Sequence, residues 1–318
     1  MSIPASSKYA IIREMTQRDN NLLNIVWLCE AAGVSRSGYY RYLDTEDTRL
    51  QREEQDREDF QKIAEAYRFR GYDKGARGIY MRLLHLKPPA HMNIKKIRRL
   101  MKKYGLFCPI RKANPYRRAA KAIATAQIAP NLLNREFESH GPRKVLLTDI
   151  TYIINGKAPR CYMCTIIDAC TKELLAWTLS ISLEVDFVLD AANILIESHG
   201  VSLTAETLIH SDQGSHYKSM KFVQLVKDSV LRQSMSRKAN CWDNAPQESF
   251  FGHMKDEIDI SLCTTFNDIR RVIADWTDYY NNDRYQWDLA KLSPREYYQY
   301  RVTGDYPLTI PKAKGMND

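Results

Sequence analysis

The sequence predicts an α/β fold: a mixed five-stranded sheet with flanking helices, preceded by an all-α region with a helix-turn-helix outline. Three observations lead there. From Lys144 the helical spacing of apolar residues gives way to short β-rich runs. The order that follows, three strands and then helix, strand, helix, strand, helix, suits a sheet covered by helices. Charge divides at the same place: residues 1–143 hold 28 Lys and Arg against 15 Asp and Glu, whereas residues 144–318 hold 19 against 23. The front part is thus built to grip a polyanion, and the back part must use its negative charge otherwise.

The first element spans 22–43, LLNIVWLCEAAGVSRSGYYRYL. Leu22, Leu23, Val26, Trp27 and Ala31 recur at helical spacing, Gly33 closes that helix and Ser35 caps the next. Ser35, Arg36, Tyr39 and Arg41 on the second helix suit phosphate and base-edge contacts. A plain helical hairpin with an exposed basic face is the alternative. Residues 45–70 are charge-dense, with a helix through Phe60, Ile63 and Ala64. Ala76–Leu86 places Ile79, Leu83 and Leu84 on one face, and Pro88 and Pro89 end it. Asn93 caps a helix through Ile94, Ile97, Leu100 and Met101 that also carries Lys95, Lys96, Arg98, Arg99, Lys102 and Lys103. This cationic surface is either a nucleic-acid face or a solvated one. Five regions follow: 1–48, helix-turn-helix-like; 49–110, a second helical DNA-binding region; 111–143, a basic linker; 144–262, the sheet domain; and 263–318, a helical extension.

In the sheet domain, VLLTDITYII, RCYMCTIID and ELLAWTLSI read as antiparallel strands, the first two joined at Asn155-Gly156. Leu183–Ser198 reads as a helix, Glu206–Ser211 as a strand, 217–228 as a helix, 230–236 as a strand and 244–258 as a helix. Aromatic-rich helices occupy 265–300. No apolar run approaches the ~20 residues of a membrane span. MSIPASSKYA lacks a secretory pattern. The seven cysteines, irregularly spaced, read as thiols in a reducing cytoplasm.

Three carboxylates stand out. Asp149 interrupts an apolar strand, where a lone charge is costly unless a cation compensates it. Asp212 follows the apolar Leu208-Ile209 at a strand end, and Gly214 permits a sharp exit there. Glu248 opens the helix NAPQESFFGHMKDEI, capped by Asn244 with Gln247 completing a capping box. Phe250, Phe251, Met254 and Ile258 face the core. Glu248, Gly252 and Lys255 form a separate stripe, with Lys255 placed to meet a phosphate. Carboxylates from two strands and a helix suit hard cations, Mg²⁺ or Mn²⁺, and two such ions support in-line displacement at a phosphodiester without a protein nucleophile.

TDITYI (148–153), IHSDQGSHY (209–217) and MSRKANCWDNAPQESFFGHMKDE (235–257) resemble the three blocks of the retroviral-integrase-like transposases. The match is to the OrfB-type transposases of the two-frame bacterial insertion-sequence family. Asp212 and Glu248 are separated by 35 residues, and Lys255 lies seven beyond the glutamate, as in that family. LCEAAGVSRSGYYRYL (28–43) and DYYNNDRYQWDLAKLSPREYY (278–298) resemble its terminal blocks. Leu146 and Ala239 depart from the family pattern, which has Trp and Gly there. The resemblance implies an RNase H-like catalytic domain with two metal ions on Asp149, Asp212 and Glu248. It implies DNA cleavage at the terminal inverted repeats of an element and transfer of the freed 3′-hydroxyl to target DNA. It also implies a homo-oligomer on DNA, an upstream-frame partner segment, and a bacterial, nucleoid-associated cytoplasmic location. A DNA-binding accessory partner that is not catalytic alone is the alternative function.

Other residues carry paired readings. Asp168 either lies near the metals or forms the turn before Ala169-Cys170-Thr171. Cys161 and Cys164 have metal-type spacing but fall on opposite faces of a strand. Arg237, Lys238 and Asn240 read as DNA contacts or an exposed basic loop. His210 and His216 support structure. Trp276, Tyr279, Tyr280, Tyr297 and Tyr298 are core or base-stacking platforms.

Overall fold

The computed structural model describes residues 3–18, 23–72, 74–109, 141–154, 157–235 and 245–309. They fall into two compact units, Met1–Ile63 and Ala64–Asp318.

In the first unit, α1 (Ala5–Thr16), α2 (Ile25–Ala32) and α3 (Arg36–Asp44) enclose Ile12, Leu28, Cys29 and Tyr39. The Asn24 side chain accepts from the Trp27 amide to start α2, and Gly33 at φ +63° closes it, a conformation that costs glycine little. Ser35 then accepts from the Gly38 amide at 3.1 Å and starts α3. The helix, glycine turn and helix are therefore present. The apolar residues at helical spacing are not the ones buried: Val26 and Ala31 are exposed, Leu23 reaches solvent and Trp27 is 60% exposed, while Leu28 and Cys29 face inward. Leu22 lies outside the described residues. Tyr39, read from the sequence as a contact residue, is 2% exposed, and its hydroxyl lies 3.4 Å from that of Thr16, so its ring belongs to the core. Ser35, Arg36 and Arg41 remain exposed.

The second unit takes in the end of α4 (Glu46–Arg68), then α5 (Ala76–Leu84) and α6 (Ile94–Lys103). Ile79, Leu83 and Leu84 of α5 and Ile97, Leu100 and Met101 of α6 are buried, the faces their spacing predicts. Around the remainder of α6, Lys95, Arg98, Arg99, Lys102 and Lys103 are exposed.

The sheet follows: β1 (Val145–Ile153), β2 (Cys161–Asp168), β3 (Leu174–Ser180), β4 (Leu208–Ser211) and β5 (Arg232–Met235), in the order β3-β2-β1-β4-β5. β2 runs antiparallel to its neighbours β1 and β3, and β4 and β5 lie parallel to β1. This is the RNase H-like arrangement. The expected turn at Asn155-Gly156 lies outside the described residues. On one face, α7 (Asp186–His199) and α8 (Met220–Asp228) cover Leu146, Cys164, Ile166 and Ile209. On the other, α9 (Ala245–Glu257) and α10 (Phe266–Asn282) cover Ile153, Cys161, Met163 and Ile167. Cys161 and Cys164 thus point to opposite cores, as strand alternation requires. Phe250, Phe251 and Met254 of α9 meet Trp276, Tyr279 and Tyr280 of α10, so these aromatics are core.

The last helix, α11 (Pro294–Thr303), starts in a capping box of Ser293 and Glu296. The α5–α6 region is tied to this carboxy-terminal pair by polar and aromatic contacts. Arg70 meets Asp278 at 2.5 Å, with Asp275 and Asp283 at 3.8 and 3.7 Å. Tyr72 stacks on Tyr279 with centroids 4.3 Å apart. His85 stacks on Tyr285 at 3.6 Å and reaches Glu296 at 3.2 Å.

Candidate active site

β1 supplies the first carboxylate. Its parallel pairing with β4 runs Val145↔Leu208, Leu146↔Ile209 and Leu147↔His210. Carried two residues further, the same register sets Asp149 beside Asp212, just past the end of β4. Adjacent strands lie about 4.8 Å apart, so two distant acidic residues become neighbours by strand order alone. Asp149 accepts from the Ile150 amide at 2.8 Å. Burial pushes its carboxyl up to about 6; that hydrogen bond pulls it back, and the negative charges of Asp212 and Glu248 push it further.

Asp212 is exposed at the strand end and accepts from the Gly214 amide at 2.9 Å. A Cβ on Gly214 would fall 2.9 Å from this Asp212 carboxylate oxygen. The glycine therefore serves by leaving room for the carboxylate; its φ is not in the left-handed region.

Glu248 projects from the first turn of α9, a helix held at both ends. At the first end, the Gln247 side chain is fully buried. Its amide donates to the carbonyls of Leu147 at 3.0 Å and Thr165 at 3.2 Å, and its oxygen accepts from the Thr165 hydroxyl at 3.3 Å. Gln247 therefore ties the start of α9 to the sheet; Asn244, its expected capping-box partner, lies outside the described residues. At the far end, Glu257 accepts from Trp276 Nε1 at 3.0 Å and from Arg284 at 2.8–3.1 Å through two nitrogens. Bidentate pairing of this kind fixes direction as well as distance. Between the anchors, a Cβ on Gly252 would meet nothing within 4 Å, so open space lies beside the Glu248 stripe.

Lys255 donates to the Thr151 hydroxyl at 2.7 Å, and partial burial lowers its ammonium from the ordinary lysine pKa. Thr151 stands two residues beyond Asp149 and hence on the same face of β1. Behind the site, Thr148 lies 3.2 Å from the Tyr217 hydroxyl, one of the buried contacts that hold β1.

The structure thus sets Asp149 within range of the charges of Asp212 and Glu248. Among the described residues, no three His, Cys, Asp or Glu side chains stand close enough to hold one metal ion. Arg237, Lys238 and Asn240 lie outside the described residues. Asp168 takes the turn reading. It is paired in register with Leu146, toward the opposite end of β1. It accepts from the Cys170 amide at 2.9 Å and from the Arg143 amide and guanidinium at 2.9 and 3.1 Å. His210 bonds Ser234 at 3.0 Å and His216 bonds the Leu183 carbonyl at 3.1 Å, both structural contacts.

Sequence reasoning missed Gln247 as an anchor, the Lys255–Thr151 contact and the Glu257–Arg284 grip. Only the last left a trace, an acid that ends a helix before a region rich in aromatic and basic residues.

Comparison with known proteins places this geometry in context. Two family models described as integrase core domain match residues 139–241 and 229–294, and one described as an HTH-like domain matches 54–114. The InsK protein of insertion sequence element IS150 from Escherichia coli K12 is 30% identical over 275 residues, 85% of this chain and 92% of that protein. The transposase of insertion sequence element IS904 from Lactococcus lactis subsp. lactis is 30% identical over 213 residues, 65% and 81% of the two chains. The integrase catalytic core domain of HTLV-2, solved with magnesium, is 12% identical with a TM-score of 0.40, covering 49% of this chain and 97% of that one.

Proposed function

The chain belongs to the insertion-sequence transposases built on an integrase core domain, and on that premise we propose that Asp149, Asp212 and Glu248 are its catalytic carboxylates. The activity of the family is DNA strand cleavage and transfer, a polynucleotidyl transfer of the DDE type, so the accessory-partner reading gives way. The observation that carries the residue assignment is the β1–β4 register, which brings Asp149 beside Asp212 while Asp149 feels the charge of both other acids.

A buried acid whose ionisation two neighbouring carboxylates disfavour calls for a compensating cation, and an all-oxygen donor set fits Mg²⁺, with Mn²⁺ as substitute. Two ions held by these residues would activate the attacking water or 3′-hydroxyl and stabilise the leaving oxygen. The protein's own part is positional. Gln247 and Glu257 fix α9, so Glu248 is presented from a rigid helix. Lys255 offers a cation to the phosphate that flanks the scissile bond. Exposed Ser35, Arg36 and Arg41, together with Arg237, Lys238 and Asn240, are proposed DNA contacts. The exposed cations of α6 suit the DNA backbone in the same way. The DNA is proposed to carry the terminal inverted repeats of the element and then the target, with the enzyme as a homo-oligomer and an upstream-frame segment as a possible fused partner. The five-region division given above is retained as the functional plan of the chain. Among the described residues, no helix is long and apolar enough to cross a membrane.

The test uses the full chain, Mg²⁺ and a duplex bearing the inverted repeats that flank its gene. Asp149→Ala, Asp212→Ala and Glu248→Ala should each abolish cleavage and joining while leaving DNA binding in place, and excess EDTA should stop the wild type. Normal cleavage by Asp212→Ala would remove the assignment.

A further inference from the structure

The pairing of β1 with β4 ends at Leu147↔His210, yet β1 continues to Ile153, where among the described residues β2 alone pairs with it. Around this unshared end lies a cavity of about 450 Å³, lined by Tyr152, Ile153, Ile154, Lys255, Ile258 and Ile260. We propose that this cavity receives a nucleobase lifted out of the DNA strand as it is cut. The proposal rests on the reading that Asp149, Asp212 and Glu248 cut DNA beside it.

Four observations support this occupant. The volume lies in the range of sites that bind small organic molecules. The walls are four isoleucines and one aromatic ring, surfaces on which a flat base packs by its face whatever its sequence. Tyr152 and Ile154 are 50% and 64% exposed, apolar area left uncovered beside a site that must admit DNA. Tyr152 is also braced edge-on by Tyr162, with centroids 5.3 Å apart, so its position is set before a ligand arrives. Among the described residues that line it, the one charged group is the Lys255 ammonium, held on Thr151 at 2.7 Å. A nucleotide needs that pairing of an apolar slot with a cation at its rim, because its base is flat and its phosphate anionic.

Spacing agrees with an opened strand. Asp149 and Thr151 are about 7 Å apart along β1, twice the ~3.4 Å advance per nucleotide of a stacked duplex. A backbone that passes from the carboxylates to Lys255 therefore has room for one nucleotide that has left the stack. Enzymes that work on a nucleotide inside a duplex commonly extrude it in this way.

The experiment uses the full chain with Ca²⁺ in place of Mg²⁺. It is given duplexes carrying 2-aminopurine, singly, at each of the three nucleotides on either side of the scissile phosphate. The wild type should brighten one position several-fold on binding, as the probe leaves the stack. Ile154→Trp, which fills the slot from an exposed position, and Tyr152→Ala, which removes the platform, should each cut that rise on the order of tenfold. DNA affinity, followed by anisotropy in the same samples, should change far less. A wild-type chain that cuts this DNA with Mg²⁺ yet brightens no position would overturn the pocket and leave the catalytic reading standing. Undiminished brightening in both variants would also overturn it. A chain that binds the repeats but never cuts them would overturn the catalytic reading, and the pocket with it.

Discussion

Val145–Leu147 and Asp149–Ile153 lie on one strand under different conditions. Leu146 and Leu147 have β2 on one side and β4 on the other, Val145 pairs with β4, and all three are buried. In the later stretch β2 is the paired neighbour, and Tyr152 reaches solvent. The first stretch contributes apolar burial and two ladders of hydrogen bonds. The second holds a carboxylate that burial makes costly. A sheet that stops pairing on one side gains a rigid backbone with open space next to it, which is the condition a metal-dependent active site needs.

The difference between the two stretches can be broken at measurable points. Asp149→Ala should lower single-turnover cleavage by about 10³-fold or more, about 4 kcal/mol of transition-state stabilisation, without lowering the melting temperature. Leu146→Ala, in the doubly paired stretch, should cost about 2–4 kcal/mol in urea unfolding and leave cleavage per folded molecule within about twofold. If the two mutations exchanged effects, the division would be wrong. Gln247→Ala joins the stretches, because it strips a buried donor from the Leu147 and Thr165 carbonyls and frees the start of α9. A loss of about 1–3 kcal/mol in stability is expected. About a tenfold fall in cleavage rate at unchanged DNA affinity should accompany it. An affinity loss without a rate loss would show that Gln247 does not position Glu248.

The smallest effect concerns protons. Asp149 titrates at about 6, above the ordinary carboxyl value, so the folded protein holds its proton more tightly than the unfolded chain does. Stability is then greatest below about pH 4 and falls as pH rises through 6. Asp149→Asn removes that penalty. In metal-free buffer at pH 7.5 it should raise stability on the order of 1–2 kcal/mol, reduced by the partial exposure of the site, with no gain at pH 4. Thermal unfolding at the two pH values checks it. A gain at pH 4 equal to that at 7.5 would assign the effect to something other than the charge.

Much of this was legible in the residues. β1 to β3 announce themselves as β-rich runs, and the faces of α5, α6 and α9 follow from helical spacing, because each of these elements buries one well-marked side. The first unit resisted for a physical reason. In α2 apolar residues run almost continuously from Ile25 to Cys29, so periodicity does not say which side turns inward, and the structure buries Leu28 and Cys29 and leaves Trp27 exposed. Tyr39 sits among Arg, Ser and Tyr and looks like a contact residue, yet its ring closes the core against α1, a helix whose weak amphipathic pattern went unread. Asp149, Asp212 and Glu248 were visible as acids out of place. Gln247 and the Thr151–Lys255 pair were not, since their partners lie 82 to 104 residues away and only the packing of α9 on the sheet brings them together.

Arg284 and Tyr285 are consecutive, and they face different tasks: the guanidinium grips Glu257 at the end of α9, and the phenol ring stacks on His85 after α5. During synthesis, both grips are missing until the ribosome has passed this dipeptide. A polypeptide that ended just before this dipeptide would carry the three acids and the Gln247 and Trp276 bonds of α9, yet lack the Arg284 grip on Glu257 and the Tyr285 stack on His85. Competence to cut therefore depends on residues translated after all three acids, and a nonsense codon just before Arg284 would remove these two grips while sparing the whole sheet.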